Sequence, residues 1–371
     1  MKKDYLLGLL LFLITFLFAA DSRIQFTRLL PYENPGRGRL DRRHLALVIN
    51  AADPISLAIG NHYQKKRKIP PSQVIRIRLR PGRTEISPQD FKTIKRQVDL
   101  KTPAHVQAYA LAWAAPYKVG CQSITTAFTF GLDQRNCASG CANTRVSSYY
   151  AKGYVRRPWN QLGIRPSMML AATSPAEGRE LIDRGVAADG TAPPGTAYII
   201  HTGDYKRNVR SRYYPSILAT ASPSFQIKIL QTDSLVGAKD VMAYFTGLAF
   251  VNNISTNHFR PGAVADHFTS FGGKLTDSPQ MSAIRWLENG ATGSYGTVVE
   301  PCNILGKFPN PGLLLAYYLR GDTLIESYWR SVAMPGQGVF IGEPLARPWG
   351  REDKESNWHH GDSDANAMHA Q

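Results

Sequence analysis

The sequence is short of acid. Its 371 residues carry 28 Asp and Glu against 44 Lys and Arg, a formal charge of +16. It is also short of cysteine, with four: Cys121, Cys137, Cys141 and Cys302. Long apolar runs are confined to the first twenty residues, which excludes a multi-span membrane protein. With 43% hydrophobic and 19% charged residues, the composition excludes a disordered chain as well. The Cys137–Cys141 spacing is not that of a standard zinc site, and residues 118–150 hold no histidine, so no metal site is expected. No nucleic-acid recognition motif accompanies the positive charge, and no cofactor is expected.

What is present begins with "MKKDYLLGLLLFLITFLFAAD". Lys2 and Lys3 precede an apolar run that closes on Ala19 and Ala20. A basic start, an apolar middle and a small-residue end make a secretory signal over residues 1–20. The run is short for a spanning helix, which needs about 20 apolar residues. The expectation is an exported, periplasmic or extracellular protein that meets a membrane only if this segment stays uncleaved. In such a compartment an even cysteine count suggests disulfides, and four cysteines allow three pairings. Three of them crowd into residues 121–141, a loop stapled by one bridge.

The charge is concentrated. Residues 41–110 carry fourteen Lys and Arg against five Asp and Glu, a net of +9. "VIRIRLR" alternates Arg76, Arg78 and Arg80 with Ile75, Ile77 and Leu79, so a strand puts the three arginines on one face. That face is either a solvated edge or an attraction for an anionic partner. For an exported protein that means an acidic polysaccharide or a lipid surface before nucleic acid, or another exported protein.

The order of elements is α/β. "HLALVIN" (44–50) reads as a buried strand and "QVIRIRL" and "HVQAYALAWAA" as strands, separated by helices that Asp53 and Ser87 cap. This gives an N-terminal βαβαβ subdomain over residues 44–118. A cysteine-containing insertion follows at 119–166, read as lying on the surface. Within it Tyr149, Tyr150, Tyr154 and Trp159 either form a platform for sugar or pack the insertion onto the sheet. A second α/β unit spans 167–349, with a capping box at Ser174 and Glu177 and a helix capped by Asp322. Residues 350–371 form a polar tail expected to be disordered. The fold class is thus two consecutive three-layer αβα units with mainly parallel sheets.

Several stretches carry a resemblance. "NAADPISLAIGNHYQKKRKIP", "PGAVADHFTSFGG" (261–273), "QMSAIRWLENGATGSYGTVVEPCN" and "FIGEPLARPW" resemble an uncharacterised family of exported bacterial proteins found in genomes that carry exosortase-type sorting. The element order and the closing Gly-Glu-Pro-Leu turn resemble, more distantly, gingipain-type cysteine peptidases with a caspase-like fold. That resemblance implies a histidine after "DVMAYF", where this sequence has Thr246, Gly247 and Leu248. It implies a cysteine after "GAVADHF", where this sequence has Thr269 and Ser270. Neither catalytic residue is present.

The strand ends should still converge, because open parallel sheets bind ligands at the carboxyl ends of their strands. This gathers Asp204, Thr246, Asp266, His267, Thr269, Ser270 and Glu300. His267 is the candidate base, Ser270 the candidate nucleophile, and Asp204 or Glu300 the orienting acid. Asp266 and His267 are adjacent, so on a strand they face opposite sides. Cys302 is a second candidate nucleophile, with His201, His258 or His267 as base, or else a free thiol or a partner for Cys121. In "HTGDYKRNVR", Lys206, Arg207 and Arg210 either hold a ligand's carboxylate or form a solvated loop. Two functions follow. One is a hydrolase or peptidase using His267 with Ser270 or Cys302. The other, which the missing dyad favours, is a non-catalytic binding protein. A His267 that is buried and hydrogen-bonded to backbone would support the second.

Overall fold

The computed structural model describes residues 39–138 and 140–350. The signal over 1–20, the tail from 351, and His359, His360 and His369 lie outside the described residues.

The elements form where local chemistry marks them. The strand β1 (Leu45–Asn50) is buried throughout. Leu45, Leu47 and Ile49 join one core cluster, and Ala46 and Val48 join another on the opposite face. A strand covered on both sides reads as a continuous apolar run for this reason. Helix α1 (Pro54–Arg67) starts at Asp53, whose side chain accepts from the Ile55 amide, with Pro54 at the first position. Helix α2 (Pro88–Lys101) starts likewise at Ser87. Each cap is worth about 1 kcal/mol. The edge strand β2 (Val74–Ile77) carries only Arg76 of the three arginines, and Arg78 and Arg80 follow it, all three exposed.

β3 (Ala108–Leu111) and β4 (Ser167–Met169) continue the parallel sheet outward from β1. Helix α3 (Ile124–Phe130) lies between them in sequence and α4 (Pro175–Ala188) follows β4. The second unit supplies β5 (Gly195–His201), β6 (Phe225–Gln231), β7 (Val241–Thr246), β8 (Phe259–His267) and β9 (Gly293–Thr297). Helices α5 (Pro311–Leu319) and α6 (Leu324–Ser331) precede the last strand, β10 (Gly338–Gly342).

All ten strands form one sheet, in the order β2-β1-β3-β4-β10-β9-β8-β7-β5-β6. The two α/β units therefore share a mostly parallel sheet flanked by helices. Each half has the same internal order, 2-1-3-4-5, a doubly wound arrangement. The halves meet at β9 and β10, which pair antiparallel from Gly293 opposite Gly342 to Thr297 opposite Gly338. β10 runs parallel to β4, and β9 runs parallel to β8. Strands of the two halves consequently point in opposite directions. The carboxyl ends of β1 to β4 lie along one edge of the sheet, and those of β5 to β9 along the other.

The insertion is not a surface appendage. Ile124 through Thr129 of α3 are all buried, and Thr125 and Thr126 donate to the carbonyls of Gly338 and Pro335 at 3.1 and 2.8 Å. Tyr149 is fully buried, and Trp159 stacks on the Arg165 guanidinium, 3.5 Å from its ring centre. Of the four aromatics, Tyr149 is buried and Tyr150 partly so, while Tyr154 and Trp159 are exposed, so Tyr149 and Tyr150 pack the insertion inward.

A buried charge cluster locks the insertion to the C-terminal helices. Asp322 does not cap α6. Thr323 does, in a capping box with Glu326. Asp322 instead ion-pairs with Arg39 and Arg330. Arg330 also donates to the Val155 carbonyl at 2.7 Å and lies over the rings of Tyr149 and Tyr317. All four charged side chains are buried. Removing one member leaves buried charge uncompensated, which costs far more than losing an exposed pair. Arg330→Met should lower the unfolding free energy by about 3–5 kcal/mol, read from urea denaturation. Arg285→Met, at an exposed pair with Glu288, should cost less than about 1 kcal/mol.

Candidate functional site at the strand ends

The carboxyl ends of β5, β7 and β8 carry most of the residues expected to converge. In a 2-1-3-4-5 half-sheet the ligand crevice opens where the strand order reverses, here between β5 and β7. This chain fills that place with its own loop, residues 203–213.

Arg210 is the centre of the filling. It is completely buried, yet it comes from a segment rich in exposed cations. Its guanidinium ion-pairs with Asp266 and donates to the backbone carbonyls of Thr246 at 2.9 Å and Asp266 at 3.2 Å. It also lies over the Phe245 ring, 5.5 Å from the centre. Of the two expectations for Lys206, Arg207 and Arg210, a ligand's carboxylate or a solvated loop, Arg210 meets neither, since its carboxylate partner belongs to the chain itself. Burial raises the Asp266 pKa, and Arg210 opposes that rise. Around this pair the loop is tied down. Thr202 donates to the Gly247 carbonyl at 2.8 Å, and Asn208 bonds the His201 ring at 2.9 Å. Gly247 sits where a side chain would collide with the Arg207 backbone, so this approach requires glycine.

His267 faces the other side of the sheet from Asp266, as strand alternation requires. Its Nδ1 accepts from the Trp286 indole at 3.0 Å, and its Nε2 lies 3.0 Å from the Met281 carbonyl. Indole N–H can only donate and a carbonyl can only accept. These partners fix the neutral tautomer with the proton on Nε2. Protonating Nδ1 would set two N–H groups against each other. The ring is buried, and desolvation takes the imidazole pKa down to about 3, against a smaller rise from the Met281 hydrogen bond. A base needs a free lone pair aimed at its nucleophile, and His267 has none.

The loop after β8 is bonded to its neighbours. Thr269 donates to Gln280 Oε1 at 2.7 Å, and the Phe271 amide donates to the same oxygen at 3.1 Å. Thr297 donates to the Ser270 carbonyl at 2.8 Å. Ser270 itself is half-buried, and no hydrogen bond joins its hydroxyl to a histidine among the described residues. Gly273 and Gly296 press backbone to backbone, where a side chain on either would overlap the other strand.

The remaining candidates fall elsewhere. Thr246 is buried at the end of β7, next to Arg210. Asp204 pairs with Arg207 at 2.6 Å, three residues on, and does not orient His267. Glu300 accepts from the Cys302 amide at 2.8 Å and closes a local turn. Cys302 is disulfide-bonded to Cys141, and Cys121 to Cys137. That corrects both the role of Cys302 as a nucleophile, which requires a thiolate, and its pairing with Cys121. Sequence reasoning named Arg210 but missed Trp286 and Gln280, whose roles arise from contacts 11 to 19 residues away. Among the described residues, no group of three or more His, Cys, Asp or Glu could hold a metal ion, and no helix is long and apolar enough to cross a membrane.

No family model matches the chain, and no curated protein matches it. A solved structure described as "Structure of Protease" is similar at a TM-score of 0.42 and 9% identity, over 83% of this chain and 78% of that one.

The His267 environment sets a pH dependence. The unfolded chain takes up a proton near pH 6.5, and the folded chain only near pH 3. Between these values the unfolded state holds more protons, so stability falls as the pH falls, by about 1.4 kcal/mol per unit from this residue. Above pH 6.5 the contribution is flat. His267→Gln can still donate to Met281 and accept from Trp286 but cannot titrate. Its loss of stability between pH 7.5 and 4.5 should be smaller than that of the unaltered chain by about 2–3 kcal/mol, measured by denaturant titration at each pH.

Proposed function

We propose that this chain is an exported, non-catalytic binding protein on a caspase-like scaffold that lacks the histidine–cysteine dyad. The observation that carries this reading is His267, whose two ring nitrogens are already engaged by Trp286 and the Met281 carbonyl. The Arg210–Asp266 pair in the neighbouring crevice supports it, because a ligand there would have to displace a buried ion pair. Export is supported by the basic, apolar N-terminal segment and by two disulfides, which persist in oxidising compartments. The partner is an anionic cell-surface polymer or another exported protein. It is met by the basic N-terminal unit, which carries a net +9 over residues 41–110. The hydrolase alternative requires a free base and a free nucleophile. His267 is buried, and Cys302 is in a disulfide.

Electrophilic probes test this on the folded, full-length protein. A fluorophosphonate should leave it unlabelled, and Ser270→Ala should behave identically. Iodoacetamide should label cysteine only after reduction. Fluorophosphonate labelling that disappears in Ser270→Ala would make the protein a serine enzyme and overturn the reading.

A further inference from the structure

The two halves of the sheet repeat one strand order, so each should offer a ligand crevice at its own carboxyl edge. In the second half that place is filled by Arg210 and its loop. In the first half, past the end of β2, a groove of about 530 Å³ lies open between the segment 78–86 and the start of α2. Ligand pockets of about 300–1,000 Å³ are typical of small-molecule sites.

The walls of this groove are built in two layers. Leu79, Ile86, Ile94 and Pro116 supply an apolar floor, and Arg78, Arg80 and Arg83 stand around it. A buried asparagine holds the arrangement. Asn50, at the end of β1, donates to the Leu79 carbonyl at 3.1 Å and accepts from the Leu79 amide at 2.9 Å. Leu79 is thereby turned inward, and its two neighbours, Arg78 and Arg80, are exposed. Of the two acids in the lining, one is neutralised and the other keeps its charge. Glu85 pairs with Lys118 at 3.1 Å, and Asp90 accepts from the Ser87 hydroxyl at 2.8 Å. Arg78, Arg80 and Arg83 have no ion pair or hydrogen bond among the described residues. Three unpaired guanidinium groups outnumber the one lining acid without a counter-cation, Asp90, and on a concave surface they focus positive potential. They present planar donors that match carboxylate or sulfate geometry.

We infer that this groove is the binding site of the protein and that it takes an acidic oligosaccharide, with a sugar ring against the apolar floor and its anionic groups on Arg78, Arg80 and Arg83. The inference rests on the binding reading above and assigns it a place. The opposite edge lacks this capacity, because its buried arginine is neutralised by Asp266.

Calorimetric titration of the full-length chain tests it. The ligands are a galacturonate oligomer, a heparin-derived oligomer, a neutral dextran oligomer and polyglutamate of matched charge. The groove variant is Arg78→Ala/Arg80→Ala/Arg83→Ala. The charge-matched control is Arg42→Ala/Lys65→Ala/Lys68→Ala, three exposed cations outside the groove. The groove variant should bind the better acidic glycan about tenfold more weakly or worse, and the control should stay within about threefold. Dextran should not bind, and the preferred acidic glycan identifies carboxylate or sulfate as the anion. Circular dichroism confirms that both variants are folded. Equal weakening in both variants, unchanged binding in the groove variant, polyglutamate binding as tight as glycan, or no acidic glycan bound by the unaltered chain would each overturn the inference. Unchanged binding in the groove variant would leave the binding reading intact at another place. The probe experiment decides the non-catalytic reading independently of all four outcomes.

Discussion

A guanidinium taken wholly out of water must find a carboxylate, and for Arg210 that carboxylate is Asp266. Much of the site follows from this one pair. Separating it would leave a buried charge uncompensated, at about 3–5 kcal/mol. The loop that carries Arg210 is therefore held against the ends of β7 and β8, and its backbone closes on Gly247. The crevice that a doubly wound half-sheet normally offers to a ligand is occupied from within. On the other face of β8, the same strand delivers His267 into a pocket of Trp286 and Met281 that suits only its neutral form. Arg210, Asp266, His267, Thr269 and Cys302 are present, but each has a structural partner.

The antiparallel seam between β9 and β10 decides where anything else can bind. Because the halves run in opposite directions, the carboxyl-end loops of the basic first unit open on the edge opposite His267 and Ser270. Arg78, Arg80 and Arg83 gather at that edge. There Asn50 sets the direction of Leu79, and with it the exposure of Arg78 and Arg80. One edge is closed by a neutralised arginine, and the other carries arginines without counter-charges. The molecule resembles two related halves that use their carboxyl edges differently.

Much of this was legible in the sequence. Asp53, Ser87 and Ser174 mark their helices because caps act locally, and central strands such as β1 and β7 read correctly because burial on both faces leaves continuous apolar runs. The opposed faces of Asp266 and His267 followed from the two-residue period of a strand. Other features depend on partners distant in sequence. The seam joins strands that no local signal pairs. Cys302 meets Cys141 across 161 residues, and four cysteines alone leave three pairings open. Helix α3 is buried on all sides, so it has no polar face, and without one there is no periodicity to reveal it. Asp322 looked like a cap because aspartate favours caps. It serves instead as the shared anion for Arg39 and Arg330.

The state of one imidazole tests the account most directly. Nitrogen NMR of the folded, ¹⁵N-labelled chain distinguishes the two tautomers and the cation, and His267→Gln assigns the signal. The account expects His267 to remain neutral, with its proton on Nε2, from pH 8 down to about pH 4, against an ordinary histidine midpoint near about 6.5. A His267 signal that titrates near neutrality, or that carries its proton on Nδ1, would contradict it. Such a ring would have a lone pair or a charge available, and the strand-end site would again be a candidate for catalysis.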